Sequence, residues 1–230
     1  MNALPLFYFP ALAQSAAVID LDGTIRHHAV TVLRMSEGEK MLLTNGKGLS
    51  ATATIISSTK KQLTVQLHDF IEHPDVSRKM ILGISLLKNA ARFEWMLEKV
   101  TEIGITEIYP LRCERTEKQH YKKERFEQII ISACLQSQQF YFPVLHEPIA
   151  LSEMLIHSLP NQKYIAHCME GDKQLLSHPS GDAALLVGPE GDFTEQEFND
   201  AAAQQFIPVS LGNTRLRTET AGVVGAVLLR

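Results

Sequence analysis

From residue 80 onward, the apolar positions of the chain alternate between two rhythms. Met80–Leu87 is a nearly unbroken apolar run of the length of a buried strand. Ala90–Ile103 then sets Phe93, Met96, Leu97, Val100 and Ile103 on one helical face, and Gly104 stands where helices commonly end. Ile108–Cys113 predicts the next strand. Glu124–Ser137 predicts a helix with Phe126, Ile129, Ile130, Ala133 and Cys134 along one side. Lys163–Cys168, Ala184–Val187 and Ile207–Ser210 predict further strands, and Thr194–Gln204 and Thr218–Leu229 further helices; Thr194 with Glu197 forms a capping box. Strands alternating with helices predict an α/β fold with a mostly parallel sheet covered on both faces.

The first 72 residues have a different texture. Leu6–Phe9, Lys40–Thr44, Leu49–Ser57 and Gln62–Phe70 are short, partly alternating runs rich in β-branched and aromatic residues. Asp22-Gly23 and Asn45-Gly46 are turn signals, and Thr24–Arg34 predicts a short helix. Several short strands in so little chain predict a small barrel. Glu72-His73-Pro74-Asp75 predicts a linker, because proline disfavours helix and central strand. The expected division is therefore residues 1–72 and 73–230.

Composition narrows the class. The chain has 230 residues, 45% hydrophobic and 21% charged, as in ordinary globular proteins. The N-terminus shows no basic stretch followed by an apolar core, and the longest apolar run, Ala221–Leu229, falls far short of the ~20 residues that span a bilayer. Neither a membrane nor export is expected. Cys113, Cys134 and Cys168 are scattered, without zinc spacing or a disulfide framework, which fits a reducing, cytoplasmic setting. A net charge of −4 argues against nucleic-acid binding by bulk charge and leaves local patches. Residues 112–125 hold six basic against three acidic residues; residues 1–72 hold six of each. His27-His28 lacks the further ligands that a metal would need, so no metal is expected.

In α/β sheets, ligands bind beyond the carboxyl ends of the strands. Two loops stand there: Gly188-Pro189-Glu190-Gly191-Asp192-Phe193 and Leu211-Gly212-Asn213-Thr214-Arg215. Each joins a predicted strand to a helix; taken alone, each is a tight turn or a ligand loop. Cys168-Met169-Glu170 follows a third predicted strand. No GxGxxG or GxxxxGK[ST] is present, which weakens dinucleotide and triphosphate readings.

Together the motifs resemble the ribosomal RNA small subunit methyltransferase E family, of the knotted SPOUT superfamily. His27-His28-Ala29-Val30-Thr31-Val32-Leu33-Arg34-Met35 is similar to its "HH…VLRL" element, and Glu98–Ile105 to "EKATELGV", followed by Ile108-Tyr109-Pro110 and Glu114-Arg115. Val187–Gly191 matches "IGPEGG"; Leu211-Gly212 with Leu216-Arg217-Thr218-Glu219-Thr220-Ala221 matches "LG…ILRTETA". Two departures stand out. Asp192 replaces the second glycine of "GPEGG", and Leu135-Gln136-Ser137-Gln138-Gln139 lacks the Glu and Arg of an "EQSxR"-like stretch while keeping Gln136 and Ser137.

The resemblance implies a PUA-like β-barrel followed by a SPOUT domain whose C-terminal chain forms a deep trefoil knot. It also implies a homodimer that transfers a methyl group from S-adenosylmethionine to N3 of a uridine in 16S rRNA of the small subunit. The cofactor residues it implies are Leu186, Val187, Gly188, Pro189, Glu190, Gly191, Leu211, Gly212, Leu216, Thr218 and Thr220. Thr218 and Thr220 have an alternative role as caps of the last helix. Arg115, Arg217 and Glu219 are the catalytic candidates, with Glu219 either the base or the ion-pair partner that fixes Arg217. Arg26, Arg34, Lys60, Lys61 and Arg112 are the RNA-binding candidates. The rivals are methylation of another RNA position and an inactive RNA-binding assembly factor.

Overall fold

The computed structural model of the chain describes residues 4–230 apart from 16, 22, 76, 77, 118–120, 170 and 172. Asp22 of the predicted turn, Lys118 of the basic stretch and Glu170 lie outside the described residues. Two compact units form: Met1–Val76 with Cys134–Phe142, and Ser77–Ala133 with Pro143–Arg230.

The first unit contains β1 (Leu6–Tyr8), β2 (Val18–Leu21), a short helix α1 (Gly23–Arg26), β3 (Lys40–Thr44), β4 (Leu49–Ser58) and β5 (Leu63–Glu72). Its five-stranded sheet runs β1-β3-β4-β5-β2; β1 is parallel to β3 and the other pairs are antiparallel. Alternation drives it: Leu63, Val65 and Leu67 turn inward beside Met41, Leu43, Ala53 and Ile55, while Gln66 faces solvent. The predicted helix at residues 24–34 exists as α1 running into a π-helical stretch, His27–Val32. There the His28 ring meets Phe7 edge-on at 5.6 Å. β2 had no clear signal in the sequence.

The segment read as a linker is a structural node. The His73 ring stacks on Phe140 at 3.7 Å and 8°, and its Nε2 bonds the Ser50 hydroxyl at 2.8 Å. The Tyr141 hydroxyl donates to the His73 carbonyl at 2.8 Å. The amide of Gly48 donates to Phe140 O and that of Phe142 to Gly46 O, so residues 140–142 dock on the β3–β4 turn.

The second unit contains β6 (Met80–Ser85), α2 (Ala90–Ile103), β7 (Glu107–Arg112), α3 (Lys123–Gln136, whose last residues belong to the first unit), β8 (Val144–Leu145) and β9 (Ile149–Ala150). It continues with α4 (Leu151–Leu155), β10 (Gln162–Ala166), β11 (Gln174–Leu175), β12 (Ala183–Val187), α5 (Glu195–Ala203), β13 (Ile207–Ser210) and α6 (Thr218–Leu229). Every strand pairing is parallel, in the order β11-β13-β10-β12-β6-β7-β8, with β9 also on β7. β6 and β12 are buried along their whole lengths, as central strands covered on both faces must be. Asn89 caps α2 through its side-chain oxygen and Gly104 closes it; Thr194 and Glu197 form the expected capping box on α5.

The last crossover positions the site. β13 lies beyond β10, yet the following α6 packs on β12, β6 and α2. The chain therefore returns past β10. Close contact is possible because Gly225 faces the sheet: a Cβ there would stand 2.3 Å from Leu185 Cδ2.

Candidate functional site

Register brings the carboxyl ends of three strands together. Ala166, the last residue of β10, pairs with Val187 of β12 on one side and Val209 of β13 on the other. The loops that follow these strands border a cleft of about 710 Å³, the size of a small-molecule site. His167, Cys168 and Lys173 line it from the first loop; Val187, Gly188, Pro189, Glu190 and Asp192 from the second; Ser210 to Arg217 from the third. Thr218 and Ala221 of α6 and Arg92 of α2 complete the wall.

Asp192 shows how the second loop is held. Its φ is +62°, in the left-handed region that suits glycine and that aspartate tolerates better than most side chains. Its Oδ2 accepts from the Cys168 amide at 2.7 Å and its Oδ1 from the Phe193 amide at 2.9 Å. The departure from glycine keeps the backbone conformation and adds a tie between the first and second loops. Behind the same loop, Arg115 Nη1 donates to Gly191 O at 2.8 Å and Phe193 O at 3.3 Å.

In the third loop, Gly212 has φ +141° with nothing within 4 Å of a would-be Cβ, so the backbone is strained for any other residue. The Ser210 hydroxyl bridges to both the amide and the carbonyl of Gly212. Arg217 is the N-cap residue of α6, with no side-chain hydrogen bond to the helix, so amides of the first turn remain for other acceptors. Neither Thr218 nor Thr220 occupies the capping position.

His167 is the unexpected member of the wall. Both ring nitrogens are buried without a hydrogen-bond partner, and the ring lies 4.5 Å from Phe198. Burial, reinforced by Lys173, pushes its pKa below the ordinary histidine value; Asp192 pulls weakly the other way. Lys173 is itself fixed, its Nζ donating to the carbonyls of Met169 and His167.

The structure sorts the predicted residues. Val187, Gly188, Pro189, Glu190, Leu211, Gly212, Leu216, Arg217 and Thr218 line the cleft. Leu186 is fully buried in the core, and Gly191 meets Arg115 behind the loop. Glu219 and Thr220 face a second, smaller cavity with Asn89, Ala91, Arg92 and Trp95. Glu219 is 7% exposed and its ion-pair partner is Arg92, with Nε at 3.7 Å, rather than Arg217. Arg112 is exposed at the end of β7. In the first unit, Arg26 Nε donates to Thr59 O at 2.9 Å, holding it against the turn that carries Lys60 and Lys61; Arg34 is exposed with φ +57°. Sequence reasoning missed His167, Lys173, Arg92 and Trp95. Of these, only His167, near the carboxyl end of a predicted strand, had a positional signal.

Comparison with known proteins agrees with this geometry. A family model of an RNA methyltransferase domain matches residues 74–230, and one of an RNA methyltransferase PUA domain matches residues 21–67. A ribosomal RNA small subunit methyltransferase E of Buchnera aphidicola subsp. Acyrthosiphon pisum (strain APS) is 28% identical over 217 residues, covering 89% of this chain and 84% of that relative. The crystal structure of a probable rRNA-methyltransferase from Porphyromonas gingivalis superposes with a TM-score of 0.89 at 36% identity, over 97% of this chain and 95% of that one. The structure of a ribosomal RNA small subunit methyltransferase E from Neisseria gonorrhoeae, bound to S-adenosyl methionine, gives 0.84 at 32% identity, with the same coverage of 97% and 95%. This chain belongs to the ribosomal RNA small subunit methyltransferase E family of RNA methyltransferases.

Proposed function

We propose that the protein transfers the methyl group of S-adenosylmethionine to N3 of a uridine in 16S rRNA of the small ribosomal subunit. The observation that carries this is the cleft at the adjoining ends of β10, β12 and β13, in a chain whose Neisseria relative binds S-adenosyl methionine. The residues present suit that molecule. The glycine-bearing loops expose backbone donors and acceptors, the first turn of α6 has unclaimed amides, and His167 offers a ring with unsatisfied nitrogens. Gly188, Gly212 and the backbone around them would hold the adenosine portion. Bound there, S-adenosylmethionine supplies a methyl group on a positively charged sulfur, already activated for transfer.

What remains for the protein is the acceptor. Uridine N3 becomes a nucleophile only when its proton leaves, and the negative charge then spreads to the flanking carbonyl oxygens. Glu219 is the proposed base. Arg217, exposed at the cleft mouth and with no side-chain hydrogen bond or ion pair among the described residues, is placed to meet that charge or the RNA backbone. Arg115 acts one step back, through the loop it pins.

Residues 1–72 serve as a PUA-like barrel that grips RNA through Arg26, Arg34, Lys60 and Lys61, and Arg112 of the second unit is a further RNA-binding residue. The return of α6 past β10 is the path expected if residues 210–220 thread the loop at 186–193 in a trefoil knot. A homodimer is favoured by α6, which is apolar on nearly every side yet leaves Val227 half exposed. No helix among the described residues is long and apolar enough to cross a membrane, which accords with action on ribosomal RNA in the cytoplasm. Calorimetry with S-adenosylmethionine tests the assignment. Saturable binding lost in Gly212→Val supports it; absence of binding overturns it in favour of an RNA-binding assembly factor.

A further inference from the structure

The smaller cavity beside the cofactor cleft has a chemistry of its own. It is about 350 Å³ and is lined by Asn89, Ala91, Arg92, Trp95, Glu219 and Thr220. Arg92 lines both cavities, and Thr218 of the cleft is followed directly in α6 by Glu219 and Thr220 of the smaller one. The two spaces thus share a wall made of one arginine and one helical turn.

The polar groups around the smaller cavity are only partly used. Glu219 is 7% exposed, yet no described residue donates a hydrogen bond to its carboxylate; the Arg92 contact, at 3.7 Å, is an ion pair too long for one. Its carboxylate oxygens line the cavity and are open to a donor brought by a ligand. Asn89 spends its side-chain oxygen on the amides of Ala91 and Arg92, which leaves its NH2 as a donor. Trp95, the only tryptophan of the chain, keeps 45% of its surface exposed at the cavity. Across the cavity the available groups are therefore a donor on Arg92, an acceptor on Glu219 and a donor on Asn89, beside one aromatic face.

We infer that this cavity seats and identifies the target base, a uracil flipped from its RNA. The pairing edge of uracil presents acceptor, donor, acceptor at O4, N3–H and O2, the complement of donor, acceptor, donor. Cytosine presents donor, acceptor, acceptor and meets Glu219 with a lone pair. Stacking on Trp95 repays the loss of neighbours in the RNA. Glu219 then takes the proton: the N3–H bond breaks, the proton passes to the carboxylate, and the electron pair stays on N3, held by the Arg92 and Asn89 donors at the flanking oxygens. This rests on the methyltransferase reading above and adds to it the residues that choose the base.

The sole tryptophan makes a direct test possible. Full-length protein is titrated with short oligouridylate and oligocytidylate while Trp95 fluorescence is read. Oligouridylate is expected to quench it and to bind about 10–100-fold more tightly than oligocytidylate, the discrimination usual for a complementary base edge. Labelled oligouridylate followed by anisotropy is expected to lose about 10–100-fold in affinity with Trp95→Ala and little with Trp95→Phe. Both variants should bind S-adenosylmethionine as the parent does by calorimetry, which also reports that they are folded. Glu219→Gln should keep cofactor binding, since Glu219 is not among the residues of the cofactor cleft, and lose methyl transfer. Fluorescence indifferent to oligouridylate, equal affinity for the two oligomers, or full methyl transfer in Glu219→Gln overturns the base pocket while leaving the methyltransferase reading in place. Absence of S-adenosylmethionine binding by the parent overturns both.

Discussion

The Cys168 amide donates to the Asp192 carboxylate at 2.7 Å, joining the loop after β10 to the loop after β12 across the floor of the cleft. The bond explains how a side chain occupies a position where the family motif has glycine. It also makes Asp192 a candidate for cofactor affinity through the position of the two loops it joins.

Asp192→Ala should weaken S-adenosylmethionine binding about tenfold, the value of one charge-assisted hydrogen bond. Asp192→Gly should fall between the two, since it relaxes the φ of +62° but loses the tie. Calorimetry on the three proteins checks this; identical affinities would show that the tie does not hold the cleft.

Gly225→Ala should cost about 1–3 kcal/mol of stability, because a Cβ there meets the fully buried Leu185 side chain at 2.3 Å and must displace it within a packed layer. A lowered urea midpoint with an unchanged slope is the expected result.

Much of the second unit was legible because its signals are local. The spacing of Phe93, Met96, Leu97 and Val100, closed by Gly104, gave the extent of α2, and Thr194 with Glu197 gave the start of α5. The docking of Phe140, Tyr141 and Phe142 on the β3–β4 turn left no such trace, because pairing between distant segments has no periodicity. For the same reason His73 read as a linker. The site divides alike: glycines after strands marked the cleft loops, whereas the approach of Arg92 to Glu219 exists only once α2 and α6 pack together.

Tyr141→Phe should destabilise the first unit by about 1 kcal/mol, through loss of the hydrogen bond from its hydroxyl to the His73 carbonyl. His73→Ala should cost more, since it removes both the Phe140 stack and the bond to Ser50. Urea unfolding followed by circular dichroism separates the two; a neutral His73→Ala would contradict the node.

The depressed pKa of His167 has a signed consequence. Burial favours the neutral ring, so below the ordinary value of 6.5 the unfolded chain takes up a proton that the folded chain resists. The stability associated with the neutral ring is complete above that value. It declines as pH falls through 6.5 and levels off below the depressed pKa of the folded state. His167→Gln should flatten this part of the pH profile of stability, measured by urea midpoints at about pH 8 and about pH 5. An unchanged difference between the two pH values would remove His167 as its source.

The central claim is chemical, and one measurement reaches it most directly. Purified protein is incubated with small ribosomal subunits that lack the modification and with methyl-labelled S-adenosylmethionine, and the nucleosides of the 16S rRNA are resolved by mass spectrometry. The expected result is label in N3-methyluridine, absent with Glu219→Gln. Label in another nucleoside, or none despite intact cofactor binding, would contradict the account.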